Sequence, residues 1–279
     1  MGRVVKTFFA VLSSVGAATL CLGADPSPES FNARAMAMGG AVTSLAGKTV
    51  TARANPASIA PERGYFAGAT YLTRQVDQLD AIGVNIVDNN TAPIAGAFNY
   101  LRVVTTGESE EVGLSLAAGT GGYYWGATGR FAHTRKDRKA DWDSAFVGDV
   151  GMLIVRDSGL RLGLVGRDLF TSYKPLEGRV AFGVSYDFEL GLTASTDYVR
   201  YLDRGAADGT TYHFGLEWTP GQTPWTMRAG YMNDRVNREK HLSGGLGWSN
   251  QRINFDYCLR QNMDASSDIV HVLSFTTPF

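Results

Sequence analysis

The chain has 279 residues, 33 of them glycine, with 11% aromatic and 19% charged side chains and a formal net charge of −1. This balance excludes a nucleic-acid partner, which requires a basic excess clustered on one face. Its two cysteines, Cys21 and Cys258, exclude a disulfide framework and a cysteine-based metal site.

In chain order, a basic start over 1–6 leads into an apolar run from Thr7 to Leu22 and then Gly23-Ala24 before Asp25-Pro26. This is the pattern of a secretory signal peptide, 1–24, cleaved after Ala24. A membrane-anchoring helix is disfavoured, because the run falls short of the roughly 18–20 apolar residues needed to cross a bilayer and is broken by Ser13, Ser14 and Gly16. Lipoprotein processing at Cys21 is disfavoured too, since Leu20 occupies a position that calls for a small residue. No later segment is apolar enough for a membrane helix, so any residence in a membrane must use strands.

Residues 25–61 are built from small side chains, with the pair Gly39-Gly40 and the turn Asn55-Pro56 as their landmarks. Gly39 and Gly40 suit a tight packing point. Asn before Pro starts a turn that delivers the chain to the first strand. Such a segment builds little core alone and is expected to form a hatch inside a wide barrel.

From 62 to 279, period-two segments of roughly eight to twelve residues recur about fourteen times. Ile82, Val84 and Ile86 share one face against Ala81, Gly83 and Asn85; Val180, Phe182, Val184 and Tyr186 oppose Arg179, Ala181, Gly183 and Ser185. The expected fold is therefore all-β: an antiparallel transmembrane β-barrel of about 14 strands with a small N-terminal hatch in the lumen. Alternation directs Arg179, Asp187, Asp197, His213, Glu217, Arg228, Arg252 and Asp256 into the lumen. A charge facing lipid at mid-membrane costs about 2–4 kcal/mol, so inward placement is favoured. Their expected role is to pair with one another and with the hatch; lining a polar path is the alternative.

The links support the same architecture. Short ones are expected near 88–92, 119–122, 156–159, 189, 219–224 and 249–251. Longer, more charged ones are expected at 73–78, 104–110, 132–143, 168–178, 200–211, 232–241 and 260–268, as in a barrel whose termini both face the periplasm. The segment 121–131 is less regular, and Gly126, Ala127 and Gly129 suggest a kink or the inward approach of another segment. The basic run from His133 to Lys139 could attract lipopolysaccharide phosphates, although Asp137, Asp141 and Asp143 offset its charge. The last strand, 269–279, ends on Phe279 with Ile269, His271, Leu273, Phe275 and Thr277 on the same face.

Two stretches carry a family resemblance: RAMAMGGAVTSLAGKTVTARANPASIA, from Arg34 to Ala60, and the closing strands with Met227-Arg-Ala-Gly-Tyr231, Gly244-Gly-Leu-Gly-Trp248, Ile253-Asn-Phe-Asp-Tyr257, His271 and Phe279. They resemble outer-membrane barrels related to FadL-type transporters and to the PorV/PorQ proteins. The chain departs from that pattern at Lys48-Thr-Val-Thr51, where relatives usually carry an Asp pair. The resemblance implies a fourteen-stranded barrel with an N-terminal hatch in the outer membrane of a Gram-negative-type bacterium. It also implies that Phe279 is the signal read by the barrel-assembly machinery.

Two functions follow as expectations. The first is admission or transport of small hydrophobic solutes, with outer-membrane lipid, lipopolysaccharide and a hydrophobic ligand as contacts. The second is a PorV-like component of a secretion or surface-attachment system. An apolar pocket between Arg34–Ala60 and the wall would favour the first, and a filled lumen with exposed apolar outer links the second; the links at 132–143 and 232–241 are strongly polar, which favours the first. No enzyme motif, cofactor site or metal site is expected, since no Gly-x-Ser-x-Gly, His-Glu-x-x-His or cysteine cluster occurs. A soluble periplasmic β protein is the remaining alternative.

Overall fold

The computed structural model describes residues 31–279 except 48, 50, 51, 136, 138, 139, 172–176 and 206–208. The expected signal peptide and residues 25–30 lie outside the described residues. A short helix, α1 (Ala33–Ala37), and a 3-10 turn at Pro56–Ile59 precede fourteen strands. These are β1 (Tyr65–Arg74), β2 (Leu79–Asp88), β3 (Ala95–Val104), β4 (Glu108–Thr120), β5 (Tyr123–Arg135), β6 (Asp143–Val155) and β7 (Leu160–Arg167). The second half comprises β8 (Arg179–Asp187), β9 (Leu192–Tyr201), β10 (Thr210–Trp218), β11 (Trp225–Asp234), β12 (Glu239–Ser249), β13 (Asn254–Asn262) and β14 (Ile269–Pro278).

Each strand pairs antiparallel with its sequence neighbours, and β1 pairs with β14 to close the ring. Closure satisfies the ladder wherever all fourteen strands pair, which lets strands cross a bilayer. Period two sets the two faces. On β2, Ile82, Val84 and Ile86 are exposed while Ala81, Gly83 and Asn85 are buried. Tyr123, Trp125, Trp218 and Trp225 are exposed near the end that carries both termini, and Tyr71, Phe131 and Tyr198 toward the other, giving the outer surface an aromatic rim at both levels.

The links correct part of the expectation. Those at 75–78, 105–107 and 235–238 are tight, no longer than the turns at the terminus-bearing end. Polar residues expected in loops, such as Glu108, Glu110 and Lys240, instead continue the strands, because alternation persists past the apolar band. The longer links are 136–142, 168–178 and 202–209. His133 and Arg135 likewise belong to β5 rather than to a loop.

The terminus-bearing end is level, but the far end has a step. β5 and β6 remain paired out to Thr134 opposite Asp143, whereas the β6–β7 ladder begins at Val150 opposite Gly166. Asp143–Gly148 therefore extends past the end of β7, about 20 Å of strand edge at ~3.3 Å per residue.

Candidate functional site

The described part of segment 31–60 packs against inward-facing residues of the wall. α1 lies against β11–β14 and the 3-10 turn against β3–β6. Asn32 caps α1, its side chain accepting from the Arg34 N–H, and Pro56 starts the 3-10 turn where its missing N–H costs nothing. The Asn55 side chain accepts from Ala57 N and donates to the carbonyls of Thr43 and Met152, at 2.9 and 3.0 Å. The turn is thus tied both to its own segment and to β6.

Inward glycines on the wall make room for this chain. A methyl at Gly126 would lie 2.6 Å from Pro56 C, one at Gly163 2.6 Å from Thr43 C, and one at Gly230 2.5 Å from Met38 C. Gly126 therefore marks the close approach that its sequence suggested; Gly129, one pleat on, faces outward beneath Phe146. Gly39 and Gly40 have φ of +64° and +83°, and a side chain on either would strike the wall at Tyr231, Phe214 or His213.

Polar side chains fix the same segment. Asp197 accepts from the backbone N–H groups of Val42 and Thr43 at 2.9 and 2.8 Å. His213 is hydrogen-bonded to the Gly39 carbonyl oxygen at 2.7 Å and to Thr211 Oγ1 at 2.9 Å. Arg34 donates from Nε and Nη2 to both oxygens of Glu217, each at 2.7 Å. Arg228 then links Glu217 to Asp256, with both contacts at 2.6 Å. Beside this chain lies a cavity of about 360 Å³ that opens toward the terminus-bearing end, lined by Arg34, Glu62, Glu217, Arg228, Asp256 and Asn254 among others. Its wall is polar, unlike the apolar pocket expected of a hydrophobic-solute reservoir.

Alternation thus brings together Glu217, Arg228 and Asp256, and places Asp197 and His213 against the segment. Asp187 stands at the rim, ion-paired with Arg161. Arg252 is a correction: it lies in the turn between β12 and β13, exposed, with its backbone N–H donating to Asn250 Oδ1. Outside a strand, the period-two rule no longer assigns it a face. Phe279 extends the closure, its N–H donating to Tyr65 O at 3.2 Å and its ring 5.8 Å from that of Tyr65.

A second charged cluster lies on the β3–β9 side, and of its members the sequence assigned only Arg179 to the lumen. Arg53 donates to Glu111 at 2.6 Å, and Arg130 bridges Glu111, Asp149 and Asp168. Arg179 donates to Asp168 at 3.1 Å and to Tyr201 Oη at 3.1 Å. Arg167 donates to the Ala54 carbonyl. Asp168 begins the 168–178 link with φ of +54°, and its N–H is held by Asp149 at 2.9 Å. Burial alone would raise the Asp168 carboxyl; Arg179 and Arg130 more than offset it and hold it below the usual carboxylate range. The signal for this cluster was present in β5, where Thr128 and Arg130 share the inward face with Gly126.

The cluster lies just inside the step in the wall. Leu169 N donates to Gly148 O at 3.1 Å across it. Leu169 covers outward-facing Gly166, and Phe170, 66% exposed, covers outward-facing Gly148. The edge that β7 leaves unpaired is thus capped by two apolar side chains and latched from inside by Asp168.

Neither a protein-family model nor a curated protein matches the sequence. Solved structures match its backbone. The toluene transporter TbuX of Ralstonia pickettii gives a TM-score of 0.69 at 12% identity, over 90% of this chain and 99% of that one. The toluene transporter TodX of Pseudomonas putida gives 0.65 at 12% identity, over 90% and 98%. The outer membrane protein Omp33 of Acinetobacter baumannii gives 0.51 at 10% identity, over 78% and 99%. At such identities the likeness is one of fold: the chain is an outer-membrane-type β-barrel.

Proposed function

We propose that the protein admits small hydrophobic solutes across the outer membrane, with segment 31–60 as the hatch and the step between β6 and β7 as the passage between lumen and lipid. The observation that carries this reading is the step itself. A solute that prefers lipid to water gains nothing from a polar axial route, and the cavity beside Arg34 is polar. At the step, by contrast, Val147 and Val165 stand on the inner side and Leu169 and Phe170 on the outer, so an apolar path needs only a short movement of the cover. Asp168, held at a positive φ that a non-glycine residue adopts at a cost, is the pivot for that movement. The fold shared with the toluene transporters supports transport; the PorV-like alternative draws no support from these comparisons.

A cross-link tests the route. A Cβ at position 148 would lie 3.5 Å from the Phe170 Cβ, within the range of a disulfide. Cells carrying the Gly148→Cys/Phe170→Cys variant should take up an apolar fluorescent probe such as N-phenylnaphthylamine when reduced and lose that uptake when oxidised. Undiminished uptake with the disulfide fully formed would rule out the step as the passage.

A further inference from the structure

The end opposite both termini carries the longer links, as the cell-surface end of an outer-membrane barrel does. There β9–β12 present a graded outer face, set in rows by the strand register. Phe214 lies opposite Thr196 and Tyr231, and Tyr231 opposite Leu242, a mostly apolar row. One pleat nearer the rim, Tyr212 lies opposite Tyr198 and Asn233, and Asn233 opposite Lys240. Above these come Arg200 near the end of β9 and, in the β11–β12 turn, the exposed Arg235 and Arg238. The Arg235 guanidinium lies 5.0 Å from the centroid of the Tyr212 ring, which holds its charge down against the wall. Arg200 donates to the carbonyls of Arg204 and Gly205, at 2.8 and 2.9 Å. None of Arg200, Arg235, Arg238 and Lys240 forms an ion pair among the described residues. The neighbouring carboxylates are engaged elsewhere: Asp234 accepts from the N–H groups of Val236 and Asn237, Glu239 contacts His241, and Glu177 pairs with Arg204. Asp203 and Asp264 stand exposed in the adjoining links without pairing to the four cations. Across the barrel the outward arginines differ, since Arg102 and Arg135 both pair with Glu108.

We propose that this face binds a phosphorylated glycolipid of the outer leaflet. Its phosphates sit among Arg200, Arg235, Arg238 and Lys240, which donate charge-assisted hydrogen bonds to them. Its sugar ring lies at the level of Tyr198 and Tyr212, amphipathic side chains suited to the boundary between hydrocarbon and water. Its acyl chains run down over Phe214, Tyr231 and Leu242. A free anion would use the cations and leave the apolar row idle, and an uncharged lipid would do the reverse; a phosphorylated amphiphile matches both in the order in which the wall presents them. The face lies outside the barrel, so the assignment is independent of the solute that the lumen admits.

Native mass spectrometry of the detergent-purified full chain, titrated with bisphosphorylated lipid A and separately with zwitterionic phosphatidylcholine, tests it. The native chain should retain lipid A in preference to phosphatidylcholine. Arg235→Gln/Lys240→Gln should weaken lipid A binding by about 30-fold, roughly fivefold for each cation lost at a lipid surface. Arg102→Gln removes an outward charge from the opposite wall and should leave the affinity unchanged. Equal retention of the two lipids by the native chain would overturn the site even if the double variant fails to fold. So would equal lipid A affinity in the native chain and a folded double variant. Complete displacement of lipid A by inorganic phosphate would reassign the cations to a free anion and overturn the lipid site as well.

Discussion

Gly230 offers the sharpest perturbation of the seat of segment 31–60 that leaves the wall intact. It faces inward on β11, opposite Gly215 and Ser243, and segment 31–60 crosses it at the Gly39 bend. A methyl there would stand 2.5 Å from Met38 C and 2.7 Å from Ala37 O, and closer still to the Gly39 amide nitrogen. Ordinary contacts of this kind are about 3.5–4 Å, so the segment must retreat by about 1 Å. The facing atoms are backbone, and no rotamer change relieves the overlap. A retreat of that size breaks the 2.7 Å hydrogen bond between His213 and Gly39 O, worth about 1 kcal/mol, on top of an overpacking penalty of about 1–3 kcal/mol. Gly230→Val should therefore disfavour the seated segment by about 2–4 kcal/mol, raising its unseated population by roughly 30-fold to 700-fold at about 1.4 kcal/mol per decade. The assay is single-channel conductance in planar bilayers, with heat-modifiable gel migration as the check on assembly. Gly244→Ala, on the outward face with only Arg228 O as near as 4.0 Å, is the control that should behave as wild type. An assembled Gly230→Val barrel with wild-type conductance would refute the reasoning that a methyl at this position unseats the segment.

Glu217→Gln leaves Arg34 and Arg228 facing a neutral amide. Removing one partner of a fully buried pair costs about 3–5 kcal/mol, but Arg34 and Glu217 retain 21% and 13% exposure beside the large cavity, so about 1–3 kcal/mol is expected. Tryptic cleavage after Arg34 should accelerate while gel migration stays native; an unchanged cleavage rate would contradict the anchoring role. The Asp168 latch should show a pH signature of defined sign. Its folded pKa is held below the usual value, so its contribution is fully present above about pH 4, the unfolded value, and disappears as pH falls through the folded pKa. Uptake of the apolar probe should change on acidification below about pH 4, and Asp168→Asn should remove that step; a variant that retains it would point to another group.

The wall was legible because its physics is local. Ile82, Val84 and Ile86 announce a lipid face by themselves, and a polar side chain two residues from Phe255, such as Tyr257, is sorted by the same rule. Arg252 shows the limit of that rule, since counting by two fails once the chain leaves the ladder. Residues such as Glu108 and Lys240 show the converse error, in which polarity was read as loop although the strand continued into the hydrated rim. Of the small inward positions, Gly126 hinted at the approach of another segment, but nothing local says that Gly126, Gly163 and Gly230 together seat one more than sixty residues earlier in the chain. The Arg53–Asp168 cluster joins residues more than a hundred positions apart, and no local period encodes such a meeting. The step between β6 and β7 was hidden for a related reason, since it arises from the relative ends of two neighbouring strands rather than from the composition of either.

The pairing of β1 with β14 imposes an order of assembly. Residues 66–74 pair with β2 at once but cannot find their β14 partners until 270–278 arrive, so ring closure joins the strands farthest apart in sequence and is the natural last step of the wall. Segment 31–60 leads the described chain, yet its contacts include both β3–β6 and β11–β14. Its seat is complete only when the seam between the first and last strands shuts, because only then do β3–β6 and β11–β14 face each other across the lumen. The wall is thus wound around its own contents, and the strand that seals it is the one that ends in Phe279.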